Sequence, residues 1–162
     1  GRIDIRARLP QGQGIWPAFW MMPAQSSYGG WPASGEIDIM EMVGHQPATV
    51  HGTLHYTGSE FGTHQYTGSS YSLEDGVFAD DFHVFSIVWE EGRFEWYVDG
   101  ELYQVQTEWQ SAGREYPAPF DHEFYLIINL AVGGEWPGNP DETTEFPQTL
   151  EVDYVRVFQT AE

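Results

Sequence analysis

The sequence predicts an all-β protein built as a sandwich of two packed antiparallel sheets. Aromatic residues make up 16% of the 162 positions, and 18 glycines and 10 prolines punctuate short runs in which apolar and polar residues alternate. Such runs favour strands, and helical periodicity is nearly absent. About ten strands in one open sheet would leave a large apolar face in water, so we expect two packed sheets, as in a sandwich or jelly roll.

The first half of the chain supplies four predicted strands bounded by turn residues. In the first strand, Ile3 and Ile5 alternate with Arg2 and Asp4, which predicts one core face and one wet face. A turn over residues 11–14 follows it. The four strands are RIDIRARLP (2–10), IWPAFWMM (15–22), the acidic run GEIDIMEMVG (35–44) and TVHGTLHY (49–56), and residues 57–80 are predicted to form a long Gly/Ser/Tyr loop.

The second half begins with three more strands, the last two joined as a hairpin through Asp99-Gly100, a dipeptide typical of tight two-residue turns. Residues 108–122 look irregular. The remaining predictions are FHVFSIVWE (82–90), RFEWYVDGELYQVQT (93–107, containing the hairpin), a buried strand EFYLIINLAVGG (123–134) and a closing strand LEVDYVRVFQ (150–159). With 41% hydrophobic residues and no internal repeat, residues 1–162 are expected to form a single domain.

Charge and composition exclude several classes of function. The chain has no cysteine, so a disulfide framework, a thiol nucleophile and a thiolate metal site are excluded. Six arginines, no lysine and 25 acidic residues give a formal charge of −19, which argues against nucleic acid or an anionic membrane as partner. No run approaches the ~20 apolar residues of a membrane span. The acidity suits either a high-salt protein or an acidic secreted one.

The acidic run carries three carboxylates on what is otherwise one short strand. On a regular strand, Glu36 and Asp38 share a face and Glu41 takes the other. One extra residue near Ile39-Met40, a β-bulge, would bring Glu41 back to the face of the first two acids. We therefore predict a bulged strand with Glu36, Asp38 and Glu41 on one concave face.

Three clustered carboxylates cannot all ionise easily at neutral pH, so at least one should keep its proton. A retaining glycosidase needs this division, with one ionised carboxylate as nucleophile and one protonated acid at about 5–5.5 Å. A third acid between them can orient the nucleophile and tune the pair. The alternatives are solvent-facing acids on a half-exposed strand, or a calcium site.

Tryptophans near the acids favour the glycosidase interpretation. The segments GIWPAFWMMP and GGEWPGNPD place Trp16, Trp20 and Trp136 at strand ends or in loops, and Trp31 lies beside the acids. Exposed aromatic faces can stack on the C–H-rich face of a sugar ring. Three further tryptophans are predicted to be ordinary core residues: Trp89, Trp96 and Trp109.

The motifs resemble glycoside hydrolase family sixteen, in particular its bacterial endo-β-1,3-glucanases, or laminarinases. The resemblance covers nearly the whole chain, and the acidic motif with the additional Met40 is similar to the laminarinase type rather than the lichenase type. The matching segments, in family order, are GQGIWPAFWMMP, WPASGEIDIMEMVGH, VHGTLHY, DDFHVFSIVWE, WYVDG, LIINLAVGGEWPGNPD and VDYVRVFQ.

This resemblance implies a β-jelly roll with a substrate cleft on its concave face, and it assigns roles to the acids. Glu36 would be the nucleophile, Asp38 its helper and Glu41 the general acid/base, with no cofactor required for the chemistry. The substrate-binding residues that it implies are Trp16, Trp20 and Trp31, His55, Asn129 on a strand next to the catalytic one, and Trp136. For His51 and His55 a structural role is an equally good interpretation.

The resemblance also implies a secreted, extracellular enzyme, and Asp153 matches a position that contributes to a structural calcium in many members. Family domains begin with several strands before the segment that matches residues 1–10, so this chain looks like the domain without its N-terminal strands. Another chain could supply them. The implied activity is retaining endo-hydrolysis of β-1,3-glucan, alone or in mixed linkage. The alternatives are lichenan, agarose, carrageenan or xyloglucan as substrate, and a non-catalytic carbohydrate-binding sandwich.

Overall fold

Ten strands make up the regular structure of the chain, which a computed structural model describes over residues 1–60 and 62–159. None of the described residues forms a helix long and apolar enough to cross a membrane. The predicted all-β class is confirmed. The strands are β1 (Arg2–Arg8), β2 (Ile15–Pro23), β3 (Glu36–Glu41), β4 (Thr49–Thr57), β5 (His64–Ser72), β6 (His83–Glu90), β7 (Arg93–Val98), β8 (Glu101–Gln106), β9 (Phe124–Val132) and β10 (Glu151–Phe158).

The strands form two antiparallel sheets of five strands each, so the predicted sandwich is confirmed. The cleft sheet has the order β5-β4-β3-β2-β9, and the outer sheet has the order β10-β1-β6-β7-β8. Edge strands β5 and β8 contact each other on one side of the sandwich. The other two edges, β9 and β10, therefore lie on the opposite side.

The core lies between the two sheets and follows the alternation in the sequence. On β1, Ile5 and Ala7 are fully buried, whereas Arg6 between them points outward. Phe19 of the cleft sheet packs against Phe85 of the outer sheet, with ring centroids 5.8 Å apart. Trp96 and Trp109 are buried as predicted.

The hairpin between β7 and β8 has the predicted turn. Asp99 and Gly100 both have positive φ angles, 50° and 84°, as a type I′ turn requires. The Asp99 carboxylate also accepts a hydrogen bond of 2.7 Å from the backbone N–H of Val84 on β6, so the turn is tied to the neighbouring strand. Residues 107–123, between β8 and β9, form no strand, as expected for the irregular segment.

The prediction of a loop over residues 57–80 is wrong for its central part, where the chain forms β5. This strand pairs with β4 along its full length, from His64 opposite Thr57 to Ser72 opposite Thr49. Its side chains are polar and mostly exposed. Because β5 is an edge strand held by backbone hydrogen bonds, the sequence shows no apolar alternation to indicate it.

The strand over residues 123–134 exists, but the prediction that it is buried is wrong. β9 is the free edge of the cleft sheet, and Tyr125, Ile128 and Val132 are all more than a third exposed. On the other sheet, Val157 of the edge strand β10 is 68% exposed. A cavity of about 860 Å³ lies on this open side, with Phe124 and Val157 in its lining, away from the three acids.

Arginines are distributed unevenly over the fold. Five of the six lie in strands of the outer sheet, where three of them pair with acids across or along β1 and β10 at 2.6–2.7 Å. Arg114 differs because it lies in the irregular segment between β8 and β9, exposed, with its guanidinium 4.8 Å from the ring centroid of Tyr28. The other five are Arg2, Arg6, Arg8, Arg93 and Arg156.

Candidate active site

The three acids lie on one bulged strand at the centre of the cleft sheet. Against β4, Asp38 pairs with Thr53 and Glu41 pairs with His51, so two β3 residues lie opposite Gly52 alone. The register against β2 shifts at the same place. The predicted bulge is therefore confirmed. Ile39 and Met40 are buried on its core side, while all three carboxylates line one cavity of about 280 Å³.

Trp96 of the outer sheet fixes this bulge from the core. Its indole N–H donates a hydrogen bond of 2.9 Å to the backbone carbonyl of Asp38. Gly52 makes the approach possible, because a Cβ at that position would lie 2.4 Å from Cδ1 of Trp96 and 2.7 Å from the hydroxyl of Tyr103. The bulge carbonyl thus has a partner that the strand ladder does not supply.

Glu36 is the acid with the most support for its ionised form. The indole N–H of Trp31 donates to its Oε2 at 2.7 Å, and Nε2 of His55 lies 3.9 Å from its Oε1. Burial raises the pKa of Glu36 above its ordinary value, while His55 and the bond from Trp31 act in the opposite direction. These contacts favour the carboxylate that a nucleophile needs.

Asp38 is the most deeply buried of the three acids, with a side chain only 2% exposed. Burial, followed by the charge of Glu36, raises the pKa of Asp38 well above its ordinary value. Nε2 of His55 lies 3.1 Å from Oδ2 of Asp38. That oxygen accepts no hydrogen bond of normal geometry from the described residues.

Glu41 is held in its protonated form at neutral pH. Burial, and then the charge of Asp38, raise the pKa of Glu41 to about 8, against the lowering effect of a bond from Trp16. That bond runs from the indole N–H of Trp16 to Oε1 of Glu41 at 3.1 Å. A carboxylic acid that keeps its proton near pH 7 can act as a general acid.

Trp20 and Asn129 lie beside the acids on the β9 side of the cleft. The indole N–H of Trp20 donates to Oδ1 of Asn129 at 2.7 Å, and both line the same cavity as the carboxylates. The prediction that the strand of Asn129 neighbours the catalytic strand is wrong. β9 pairs with β2, which separates it from β3, and Asn129 reaches the site because it pairs with Ala18 on that intervening strand.

A second cavity, of about 530 Å³, lies on the β5 side of Glu41. His51 and Trp136 line it, with ring centroids 5.1 Å apart. The pKa of His51 is lowered by burial. Among the lining residues that the sequence did not indicate are Thr53, His64 and Tyr66. His64 and Tyr66 are two residues apart, a spacing that would have placed them on one face if β5 had been recognised as a strand.

His55 lines the second cavity and belongs to an aromatic cluster beside the acids. Its Nδ1 lies 2.8 Å from Nε2 of His64, and the ring of Trp31 packs on His64 with centroids 4.6 Å apart. Burial and then the charge of His55 lower the pKa of His64. His64 therefore supports both Trp31 and His55, the two side chains that lower the pKa of Glu36.

Asp153 lies on the outer sheet, far from the cleft in the topology. Its carboxylate accepts a hydrogen bond of 2.7 Å from Arg6. In the described part of the chain, Glu36, Asp38 and His55 form the only group of three acidic or histidine side chains close enough to share an ion. Because calcium takes six to eight oxygen ligands, the described residues around Asp153 do not by themselves fit that ion.

Comparison with known proteins decides the family. The model of a family described as glycosyl hydrolases family 16 matches residues 1–156. The chain belongs to glycoside hydrolase family 16. The resemblance seen in the motifs is confirmed, and with it the jelly-roll type of sandwich. Hydrolases of family 16 need no cofactor for catalysis.

Similar members of family 16 are named as glucanases. The chain is 48% identical over 165 residues to a glucan endo-1,3-beta-glucosidase A1 of Niallia circulans, and 44% identical over 170 residues to a beta-glucanase of Rhodothermus marinus. The solved laminarinase catalytic domain of Thermotoga maritima MSB8 superposes with a TM-score of 0.86 at 49% identity.

Nearly all of this chain, but only part of each similar protein, takes part in these matches. The match to the Niallia circulans protein includes 98% of this chain but only 24% of that protein. The matches to the Rhodothermus marinus and Thermotoga maritima proteins include 100% of this chain, and 58% and 64% of those proteins. The chain thus spans less than two thirds of each of these three proteins.

Proposed function

We propose that the chain carries the catalytic centre of a retaining endo-β-1,3-glucanase. One observation carries the proposal: a bulged strand holds Glu36, supported as an anion, and Glu41, whose pKa is about 8, on the same face. The names of the similar proteins, glucan endo-1,3-beta-glucosidase and laminarinase, support β-1,3-glucan as the substrate class.

The chemistry follows from the different environments of the two glutamates. Glu36 attacks the anomeric carbon while Glu41 gives its proton to the leaving glycosidic oxygen, and a covalent glycosyl-enzyme forms. Glu41, now a carboxylate, takes a proton from water, and that water releases the sugar with its original anomeric configuration. Asp38 and His55 orient Glu36, since both lie next to it on the cleft face.

Sugar binding would use the cavity that the three acids line and the second cavity, which begins at Glu41. Trp20 and Asn129 offer an aromatic surface and an amide on the β9 side. Trp136 supplies a 43% exposed aromatic side chain on the other side. Trp31 is 53% exposed, so it can contact a sugar with its face while its N–H holds Glu36. We propose these four as the main substrate contacts, with Trp16 and His55 beside them.

The products released from laminarin test this proposal, with lichenan and agarose in parallel and the anomeric form followed by NMR at early times. β-Configured oligosaccharides from laminarin are expected. Glu36→Gln should abolish hydrolysis and keep oligosaccharide binding, and Asp38→Asn should lower the rate less severely. Near-native turnover by Glu36→Gln would refute the assignment. Binding without hydrolysis by the folded wild type would favour the carbohydrate-binding alternative.

The open side between β9 and β10 supports a proposal about partners. Strands additional to those of this chain, from the same or another polypeptide, would cover the exposed apolar residues of both edges. The relatives, which are longer than the part matched here, are consistent with this. The test adds, as a separate polypeptide, the part of a relative that lies outside the segment matched here. A rise in the melting temperature of this chain would support the proposal, and no change would count against it.

Two earlier expectations remain proposals. Secretion is proposed because polymeric glucans are found outside the cell. The test compares the glucanase activity of the culture medium with that of the cell pellet.

A structural calcium involving Asp153 would need most of its ligands from elsewhere. Calcium should then raise the melting temperature of the wild type but not that of Asp153→Asn.

A further inference from the structure

Glu36, Asp38 and His55 bring three potential metal ligands to one point of the cleft. One carboxylate oxygen from each acid and one ring nitrogen of the histidine lie within 4.8 Å of one another. Nε2 of His55 is 3.1 Å from Oδ2 of Asp38 and 3.9 Å from Oε1 of Glu36. Zinc binds such atoms tetrahedrally at about 2.0–2.1 Å, which sets neighbouring ligand atoms roughly 3.3 Å apart. The pair of Asp38 and His55 already has about that spacing, and Glu36 would have to move closer to the other two to complete the site.

The buried oxygen of Asp38 points independently to a ligand. The side chain is 2% exposed, and Oδ2 has no hydrogen-bond partner among the described residues although it faces Nε2 of His55. Buried polar atoms are nearly always paired with protein, water or an ion. An ion between this oxygen and Nε2 of His55 would give Asp38 the partner of good geometry that it lacks.

The surrounding residues hold the other two ligands in a suitable orientation. A metal on Nε2 of His55 requires the proton to be on Nδ1, and that atom lies 2.8 Å from Nε2 of His64, which can accept it. Such outer partners fix the tautomer and ring orientation of metal-bound histidines. The bond from Trp31 occupies Oε2 of Glu36, so Oε1 remains available on the side of His55.

We propose that Glu36, Asp38 and His55 bind one zinc ion, that His64 orients His55 for it, and that the bound ion excludes the glucan. Two carboxylates and one imidazole suit zinc, whereas calcium and magnesium prefer oxygen ligands in larger number or keep their water. The formal charge of −19 favours any cation over an anion here. The zinc site rests on geometry alone, and the exclusion of glucan rests on the proposed function.

Calorimetric titration of the wild-type chain with zinc chloride tests the site without any substrate. One ion per chain is expected. His55→Gln and Asp38→Asn should each weaken binding at least tenfold, and His64→Phe should weaken it about tenfold through His55. His45→Gln makes the same change at an exposed histidine outside the cleft and should bind zinc as the wild type does. Magnesium should give no heat of binding.

Circular dichroism of each variant ensures that a loss of zinc binding is not a loss of folding. Unchanged zinc affinity in both His55→Gln and Asp38→Asn would overturn the site. In a second arm, zinc should raise the KM for laminarin and leave kcat unchanged. Zinc binding by a protein that hydrolyses nothing would reject the proposed function and keep the metal site. Hydrolysis unaffected by saturating zinc would overturn the exclusion of glucan.

Discussion

The indole N–H of Trp96 donates a hydrogen bond of 2.9 Å to the backbone carbonyl of Asp38, and this bond joins the outer sheet to β3, the strand that carries the three acids. Trp96 is fully buried on β7, so the shape of the acidic bulge depends on the core and not only on its neighbours in the cleft sheet. Changes at the centre of the sandwich should therefore reach the carboxylates.

Trp96→Phe should lower both stability and turnover. The variant loses the donor and leaves the Asp38 carbonyl buried without a partner, which together with the smaller ring should cost about 2–4 kcal/mol. Urea denaturation and kcat on laminarin measure the two effects. Trp109→Phe is the control, because that indole bonds the carbonyl of Pro117 in the irregular segment. It should lose stability and keep kcat. A native kcat in Trp96→Phe would contradict this coupling.

Gly52→Ala should disturb the same contact from the other side. The added Cβ would lie 2.4 Å from Cδ1 and 2.6 Å from Nε1 of Trp96, so the indole must move away from Asp38. We expect a drop of about 1–3 kcal/mol in the free energy of unfolding. Gly30→Ala is the matched control, since no atom lies within 4 Å of its added Cβ. Equal melting temperatures for the two variants would refute the prediction.

Glu41 should make stability depend on pH in a direction opposite to that of a salt-bridged acid. Burial raises its pKa from 4.5 to about 8, so the native state holds the proton more tightly than the unfolded state. The stability from this group is complete below about pH 4.5 and declines as the pH rises to about 8.

Glu41→Gln imitates the protonated acid, and it should match the wild type near pH 4 and be more stable by up to a few kcal/mol above pH 8. Thermal melts at both pH values measure this. Glu142→Gln, at an exposed glutamate, is the control. Its stability should differ little from that of the wild type at both pH values. A Glu41→Gln variant that gains nothing at high pH would mean that Glu41 ionises freely in the folded protein.

The sequence predicted the bulge because side chains alternate strictly between the two faces of a regular strand. Glu36 and Asp38 share a face, and Glu41 can join them only through one extra residue. The edge strand β5 escaped prediction because its pairing with β4 uses backbone groups and leaves its side chains in water. His64 was missed with it.

Contacts between residues far apart in the chain could not be predicted from the sequence either. The tryptophans around the acids were recognised as possible sugar-binding surfaces, but the bonds from Trp31 to Glu36 and from Trp16 to Glu41 depend on how the strands and loops meet. Asn129 was placed in the cleft on the wrong neighbouring strand for a similar reason, since sheet order follows from tertiary pairing and not from local pattern.

Trp31→Phe should shift the acidic limb of the pH–rate profile. The bond from its N–H lowers the pKa of Glu36, so its removal should raise that pKa. The limb of kcat/KM should then move to higher pH, because the proposed mechanism needs Glu36 ionised. Profiles on laminarin between pH 4 and 9 measure the shift. Trp136→Phe is the control at an exposed tryptophan. It should change KM and leave the limb in place, and a limb that moves equally in both variants would contradict the role of the N–H.

The distribution of arginines leaves one accessible trypsin cleavage site in the folded protein. The chain has no lysine, and five of its six arginines lie within strands of the outer sheet, where the backbone is paired and cannot enter a protease. Arg114, exposed in the irregular segment, is the exception. Brief digestion of the native protein should cut after Arg114 and yield residues 1–114 and 115–162. Cleavage after any other arginine would then report the opening of the outer sheet, so a gel can follow the unfolding of that sheet.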